Sequence, residues 1–200
     1  MTMHSMQGLK IAAGALALAC TSMRAEAHKL REKAQTVQVA EGFSVTPTRD
    51  WNRLNGNRGK ATETWTLYGD QLNELTFYGG IEAGRSLLRE RSKNTDPLPK
   101  FEANTLVVEV PELLEGTYRT SRGTSDFAVT GLEPGRFLGT DGVAFTYQYV
   151  DGERLVRKGE ARAAIIGGKL FMITFEAPRL HYFDQGVGEF RKISDSARRP

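Results

Sequence analysis

The densest concentration of reactive side chains in this 200-residue chain is the segment Glu176-Ala177-Pro178-Arg179-Leu180-His181-Tyr182-Phe183. It sets a carboxylate, a guanidinium, an imidazole and a phenol where a strand should hand over to a helix, and strand ends of layered folds are where ligands collect. An imidazole that titrates near neutrality beside a carboxylate can move a proton or hold a ligand. Glu176 and His181 would form that pair, with Asp184 as the other available acid. The competing reading makes His181 and Tyr182 pins for the following helix and pairs Glu176 with Arg179. No serine or cysteine nucleophile stands at a recognisable spacing from His181, which favours ligand or partner binding over catalysis. A second group, Tyr68 and Tyr78, flanks Trp65 and Phe77 on an alternating pair of strands. Such rings are core on one face, and on an open face they would offer a partner surface.

Other chemistry is thinly provided for. There is no Gly-x-Ser-x-Gly elbow, His-Glu-x-x-His helix, EF-hand loop or paired CxxC. Three histidines and one cysteine are a poor ligand supply for zinc or copper, so no metal or cofactor is expected. The 27 Lys and Arg nearly balance 24 Asp and Glu, giving a formal charge of +3 without a dense basic tract. Nucleic acid is therefore not an expected partner. Forty per cent hydrophobic and 26 % charged residues suit a globular domain with a real core.

The lone cysteine, Cys20, finds its meaning in the leader. Lys10 precedes the nine uncharged apolar residues Ile11 to Ala19, which as a helix would rise about 13–14 Å against a hydrocarbon core of about 30 Å. That is an export signal, not a span. Ala17-Leu18-Ala19-Cys20 resembles a bacterial lipobox, with Ala17 where leucine is usual. Ala25-Glu26-Ala27 is the alternative cleavage site and would leave His28 first. Lipidation of Cys20 would anchor the chain in the cell envelope, with Thr21 favouring the outer membrane and a periplasm-facing domain. Cleavage after Ala27 would release it to the periplasm or medium. Cutting at Cys20 removes Lys10 and no acid from a +3 chain, leaving +2, so charge argues for no particular partner.

The elements that must position these residues read mostly as sheet. Residues 1–27 are signal and tether, 28–40 a tether or first strand, and 40–197 one domain. Phe43 and Val45 alternate up to Pro47. Trp65 and Leu67, then Leu75 and Phe77, alternate around Gly69-Asp70 as a hairpin. Residues 81–105 break the pattern and read as a long mobile excursion, with a helical turn possible over Arg85 to Lys93. Pro111-Glu112-Leu113-Leu114 starts a helix to about Thr120. Phe127 to Thr130 and Gly135 to Leu138 suggest short strands, and the glycine-rich stretch Gly131 to Gly142 a connection. Val143, Phe145, Tyr147 and Tyr149 alternate into the hairpin dipeptide Asp151-Gly152. Lys169 to Glu176 is apolar on both faces, as an innermost strand must be. Phe183, Val187, Phe190 and Ile193 recur at helical spacing.

This order, ending in Gly168-Lys169-Leu170-Phe171-Met172-Ile173-Thr174-Phe175-Glu176-Ala177-Pro178 and a closing helix, resembles the PsbP-like family from about Gly42 to Ser196. The resemblance implies an α+β fold: an antiparallel β-sheet meander covered by helices, an α/β/α sandwich. It also implies an accessory or binding protein, without a catalytic motif that could be carried over. The expectation is an exported, lipid-anchored envelope protein that binds an unknown envelope protein or small ligand through Glu176, Arg179, His181, Tyr182, Tyr68 or Tyr78. The alternative is a small periplasmic hydrolase-like enzyme using His181 with Glu176 or Asp184.

Overall fold

The computed structural model describes residues 29–56, 59–90, 96–124 and 126–199. The leader, with Cys20 and both cleavage sites, lies outside the described residues. The strands are β1 (Lys29–Arg31), β2 (Val37–Val39), β3 (Phe43–Val45), β4 (Trp51–Arg53), β5 (Thr62–Thr66), β6 (Glu74–Ile81), β7 (Arg85–Ser86) and β8 (Lys100–Phe101). Helix α1 (Val110–Arg122) follows, then β9 (Ala128–Phe137), β10 (Thr140–Val150), β11 (Val156–Ile166), β12 (Lys169–Pro178) and helix α2 (Tyr182–Ser196). Eight strands form one antiparallel sheet in the order β1-β4-β5-β6-β12-β11-β10-β9, and β2-β3 and β7-β8 are separate hairpins. The expected α+β fold, an antiparallel meander with a helix on each face, is what the chain adopts.

β12 lies between β6 and β11, and its two side-chain rows explain the layering. Ile173 and Phe175 join α2 and the β2–β3 hairpin in one core, with Trp51, Trp65, Phe77 and Phe190. Leu170 and Met172 join α1 in the other, with Tyr118, Phe145 and Phe101. Burying both rows of a central strand is what made its sequence apolar throughout. In α1 the stripe Val110, Leu114, Tyr118 repeats every fourth residue and is buried, so Arg122, the next residue in the stripe, ends the helix on the sheet-facing side.

Three expectations need correction. The folded unit does not wait until residue 40: β1 pairs Arg31 with Trp51 in the main sheet, and Arg31 Nη2 donates to the buried Glu63 carboxylate at 2.6 Å. Gly131 to Gly142 is not a connection, because β9 runs unbroken to Phe137 and pairs with β10. Its glycines and Pro134 are tolerated because β9 is the sheet's last strand, where proline need not complete a ladder on both sides. Among its described residues the excursion after Ile81 carries a two-residue β7–β8 pairing and no helical turn over 85–90, and Leu87, Leu98 and Phe101 tuck it into the core. Among the described residues, no helix is long and apolar enough to cross a membrane.

Candidate functional site

The α1 face of the sheet changes character at one end. Glu74 of β6 and Glu176 of β12 are cross-strand neighbours, both buried, and Tyr147 and Tyr149 of β10 point to the same face among the α1-side core residues. Arg122, delivered by the last turn of α1, closes the group. Its Nη1 donates to Glu176 Oε1 at 2.6 Å and to the Tyr149 hydroxyl at 2.7 Å, and its Nη2 donates to Glu74 Oε2 at 2.8 Å. Tyr118 and Tyr147 donate to Glu176 Oε2 at 2.7 and 3.2 Å, and Tyr149 donates to Oε1 at 2.9 Å. The Arg122 guanidinium also lies 4.3 Å from the Tyr118 ring centroid, a cation–π contact.

Burial alone would raise the Glu176 pKa, but the charges of Arg122 and Arg157 and the hydroxyl donors of Tyr118 and Tyr149 outweigh it and hold the carboxyl at about 2. The tyrosines respond oppositely. Burial first, and then the Glu176 charge, pushes Tyr118, Tyr147 and Tyr149 above the ordinary phenol range. Near neutral pH Glu176 is a carboxylate fully ligated by neutral phenols and the guanidinium that it shares with Glu74.

The cluster is sealed on one side and open on the other. Arg122 and Tyr149 form part of the wall of a cleft of about 600 Å3. The cleft is completed by Asp70 and Gln71 from the β5–β6 connection, Asp151 and Gly152 from the β10–β11 turn, Arg157 of β11, and Leu88 and Leu98 of the excursion. Arg157 is buried; its Nη1 donates to the Gln71 carbonyl at 2.7 Å and stands 3.7 Å from Asp151 Oδ2. Such a concavity, where many polar and charged groups converge beside Leu88 and Leu98, can hold a small polar ligand. Among the described residues, no three His, Cys, Asp or Glu side chains group as a metal site would require.

No family model matches the chain, and no curated protein matches it. Among solved structures, the solution structure of cyanobacterial PsbP (CyanoP) from Synechocystis sp. superimposes over 91 % of this chain and 98 % of its own, with a TM-score of 0.53 at 10 % identity. The fold is PsbP-like. A crystal structure from Bacteroides thetaiotaomicron matches 85 % of this chain and 49 % of its own, with a TM-score of 0.47 at 9 % identity.

The PsbP-like sheet separates the residues that the sequence places side by side. Glu176 faces α1, whereas His181 stands at the N-terminus of α2 on the opposite face. His181 has φ 71°, and Tyr182 N–H donates to the Leu180 carbonyl at 2.9 Å across it, the strained form of the γ-turn. Its ring nitrogen Nε2 lies 2.9 Å from Gln185 Nε2, so the Glu176–His181 pair does not form. The Glu176–Arg179 pairing fails as well, since Arg179 is exposed and both Glu176 oxygens are taken. Asp184 is exposed in the first turn of α2. Tyr68 and Tyr182 do meet, with ring centroids 6.4 Å apart and Arg49 5.8 Å over the Tyr68 ring. Tyr78 belongs to the α1-side core and offers no open surface. Arg122, Tyr118, Glu74 and Arg157 were missed by sequence reasoning. The signal for them was Glu176 itself: a carboxylate in a strand covered on both faces requires a buried cation and donors nearby.

Proposed function

We propose that this chain is an exported envelope protein, held to the membrane by a lipid on Cys20, whose PsbP-like domain binds a small polar ligand in the cleft beside Arg122 and Arg157 without transforming it. The observation that carries the reading is the opening of the Glu176–Arg122–Glu74 network onto that cleft. Buried ionic groups are weak stabilisers compared with apolar residues of the same volume. A network placed at the wall of a concavity has a use in fixing charged groups for a ligand, because donors and acceptors that are already oriented lose little freedom on binding. The hydrolase-like reading has less support, since Glu176 is committed to Arg122 and three tyrosines on the far side of the sheet from His181, which leaves it the exposed His181 and Asp184 at the start of α2.

A cleft-filling variant tests the site without touching the network. Gly152 lines the cleft, and a Cβ there would meet nothing within 4 Å. Gly152→Trp should fold normally and lose the thermal stabilisation that a panel of small polar compounds gives the full chain. Equal stabilisation of both proteins would remove the cleft as the binding site. For the anchor, a fatty-acid analogue fed to expressing cells should label the wild-type chain and not Cys20→Ser. Equal labelling would overturn lipidation and leave release after Ala27 as the mode of export.

A further inference from the structure

The Tyr68–Tyr182 pair takes no part in the cleft and belongs to a separate apolar patch at one end of the sheet. Tyr68 is 48 % exposed, and Tyr182 is half-buried against the α2-side core. The Arg49 guanidinium lies over the Tyr68 ring. Next to them Leu180 is 78 % exposed, more than any other large hydrophobic residue among those described. The reversal at His181, with its positive φ and the Tyr182 N–H on the Leu180 carbonyl, is what holds Leu180 out. Backbone strain of this kind collects where the geometry it enforces is used. Arg179 N–H donates to the Val156 carbonyl at 2.8 Å, which carries the β11–β12 register past Arg157 and Pro178. The exposed Leu155 is thereby brought level with Leu180. Two leucines and two phenols bordered by the exposed Arg49 and Arg179 are the side chains that settle at a membrane–water boundary. Asp70 and Asp184, each two residues from one of the tyrosines, are exposed as well, so such a contact rests on the apolar tips and not on net charge.

The length and starting point of the tether say what covers this patch. Residues 21–28 separate Cys20 from Lys29, where β1 begins, and the chain from Cys20 to Lys29 reaches about 30 Å at most. β1 pairs Lys29 with Arg53 and Arg31 with Trp51, so Lys29 lies within about 13 Å of Arg49 along the strand direction. A lipid on Cys20 can therefore enter the bilayer while the patch touches it, with tether to spare. The exposed Val129 and Leu132 sit on β9 at the opposite edge of the eight-stranded sheet. At the usual strand spacing that edge is about 33 Å from β1, and laying it on the membrane would pull the tether straight at the cost of its conformational freedom. Resting on the reading of Cys20 as the lipidated residue, we infer that the Tyr68–Leu180 end of the sheet is the face that the domain lays on its own phospholipid membrane. Leu155 and Leu180 enter the acyl boundary, Tyr68 and Tyr182 lie at the headgroup level, and Arg49 and Arg179 meet lipid phosphates.

Cys20 is the chain's only cysteine, and lipidation blocks its thiol, so a second cysteine takes a dye alone. The experiment places a nitrobenzoxadiazole dye on Leu180→Cys or on Leu132→Cys of β9, both at exposed positions. The lipidated full chain is purified from membranes and reconstituted into vesicles of phosphatidylethanolamine and phosphatidylglycerol carrying a lipid spin-labelled at acyl carbon 5. The dye at position 180 should emit to the blue and be quenched about threefold more than the dye at position 132. Tyr68→Asp, made in the Leu180→Cys chain, should remove about half of that quenching by putting a charge at the headgroup level. Equal quenching at the two positions, or quenching at position 180 that Tyr68→Asp leaves unchanged, would overturn the membrane face and leave the lipid anchor standing. A dye at position 180 shielded from iodide in native membrane fragments but not in these vesicles would overturn it in favour of a protein partner. If the fatty-acid analogue fails to label Cys20, the anchor and the membrane face fall together.

Discussion

Glu176 keeps its charge in the interior because four donors converge on two oxygens: three phenols and one guanidinium. Its carboxyl is held at about 2, below the ordinary value of about 4.3 that it regains on unfolding. The unfolded chain therefore binds the proton first, and stability must rise with pH through this window. This contribution is complete above about pH 4.5 and disappears as pH falls toward 2. Urea midpoints measured from pH 6 to pH 2.5 should fall steeply below about pH 4.5, and Glu176→Gln should flatten that fall. Removing the cation is the sharper intervention. Arg122→Met leaves a buried carboxylate without its charge partner and should cost about 3–5 kcal/mol at pH 7 by denaturant unfolding. That deficit should shrink as the pH is lowered toward 2, where the wild type loses the same contribution. The three buried phenols give the alkaline counterpart: absorbance at 295 nm should show Tyr118, Tyr147 and Tyr149 ionising together with unfolding, not before it. How much of this was legible in the sequence turns on chemistry at a distance. Glu176 stood out by its neighbours in the chain, but its partners lie on β10 and α1. Local adjacency pointed to Arg179 and His181, because a strand's alternation and the turn after it send consecutive side chains to opposite faces.

At the level of elements, close approaches hold the cluster in place. Tyr147 lies opposite Gly159 across the β10–β11 ladder, and a Cβ on Gly159 would come within 2.1 Å of the Tyr147 ring. The ring thus lies flat over the neighbouring strand, stacked on Phe127 at 5.1 Å, with its hydroxyl on Glu176. Gly159→Ala should displace the ring, destabilise the protein by about 1–3 kcal/mol and weaken the acid dependence described for Glu176; an unchanged pH profile would count against this role. On the other face, a Cβ on Gly186 of α2 would sit 2.3 Å from Phe175, so Gly186→Ala should lower the urea midpoint by loosening that helix while leaving ligand-induced stabilisation at the cleft unchanged. Legibility here followed periodicity. β12, the β5–β6 hairpin and α2 announced themselves through apolar spacing. β9 did not, because Gly131, Pro134 and Gly135 carry loop chemistry and nearly all its side chains are exposed. The missing pattern is that of an edge strand with little to bury.

For the molecule as a whole, the two sides of the sheet are built differently. The α2 side is packed with Trp51, Trp65, Phe43, Phe77, Phe175 and Phe190. The α1 side carries Thr62, Thr64, Thr66, Thr76, Thr174, Glu74 and Glu176 among its buried residues, and the helix that covers them ends on a single arginine. More buried polar groups that water can satisfy make the α1 layer the cheaper one to detach. Amide hydrogen exchange should therefore divide the protein in two. Amides of α1 should exchange through a partial opening well below the free energy of global unfolding, while those of β12 and α2 exchange only with the whole. Occupancy of the cleft, which joins the end of α1 to the β10–β11 turn, should slow the first class and leave the second unchanged. The PsbP-like sandwich would then act as a rigid half-shell with a hinged cover, and its ligand would register as a change in how often the cover lifts.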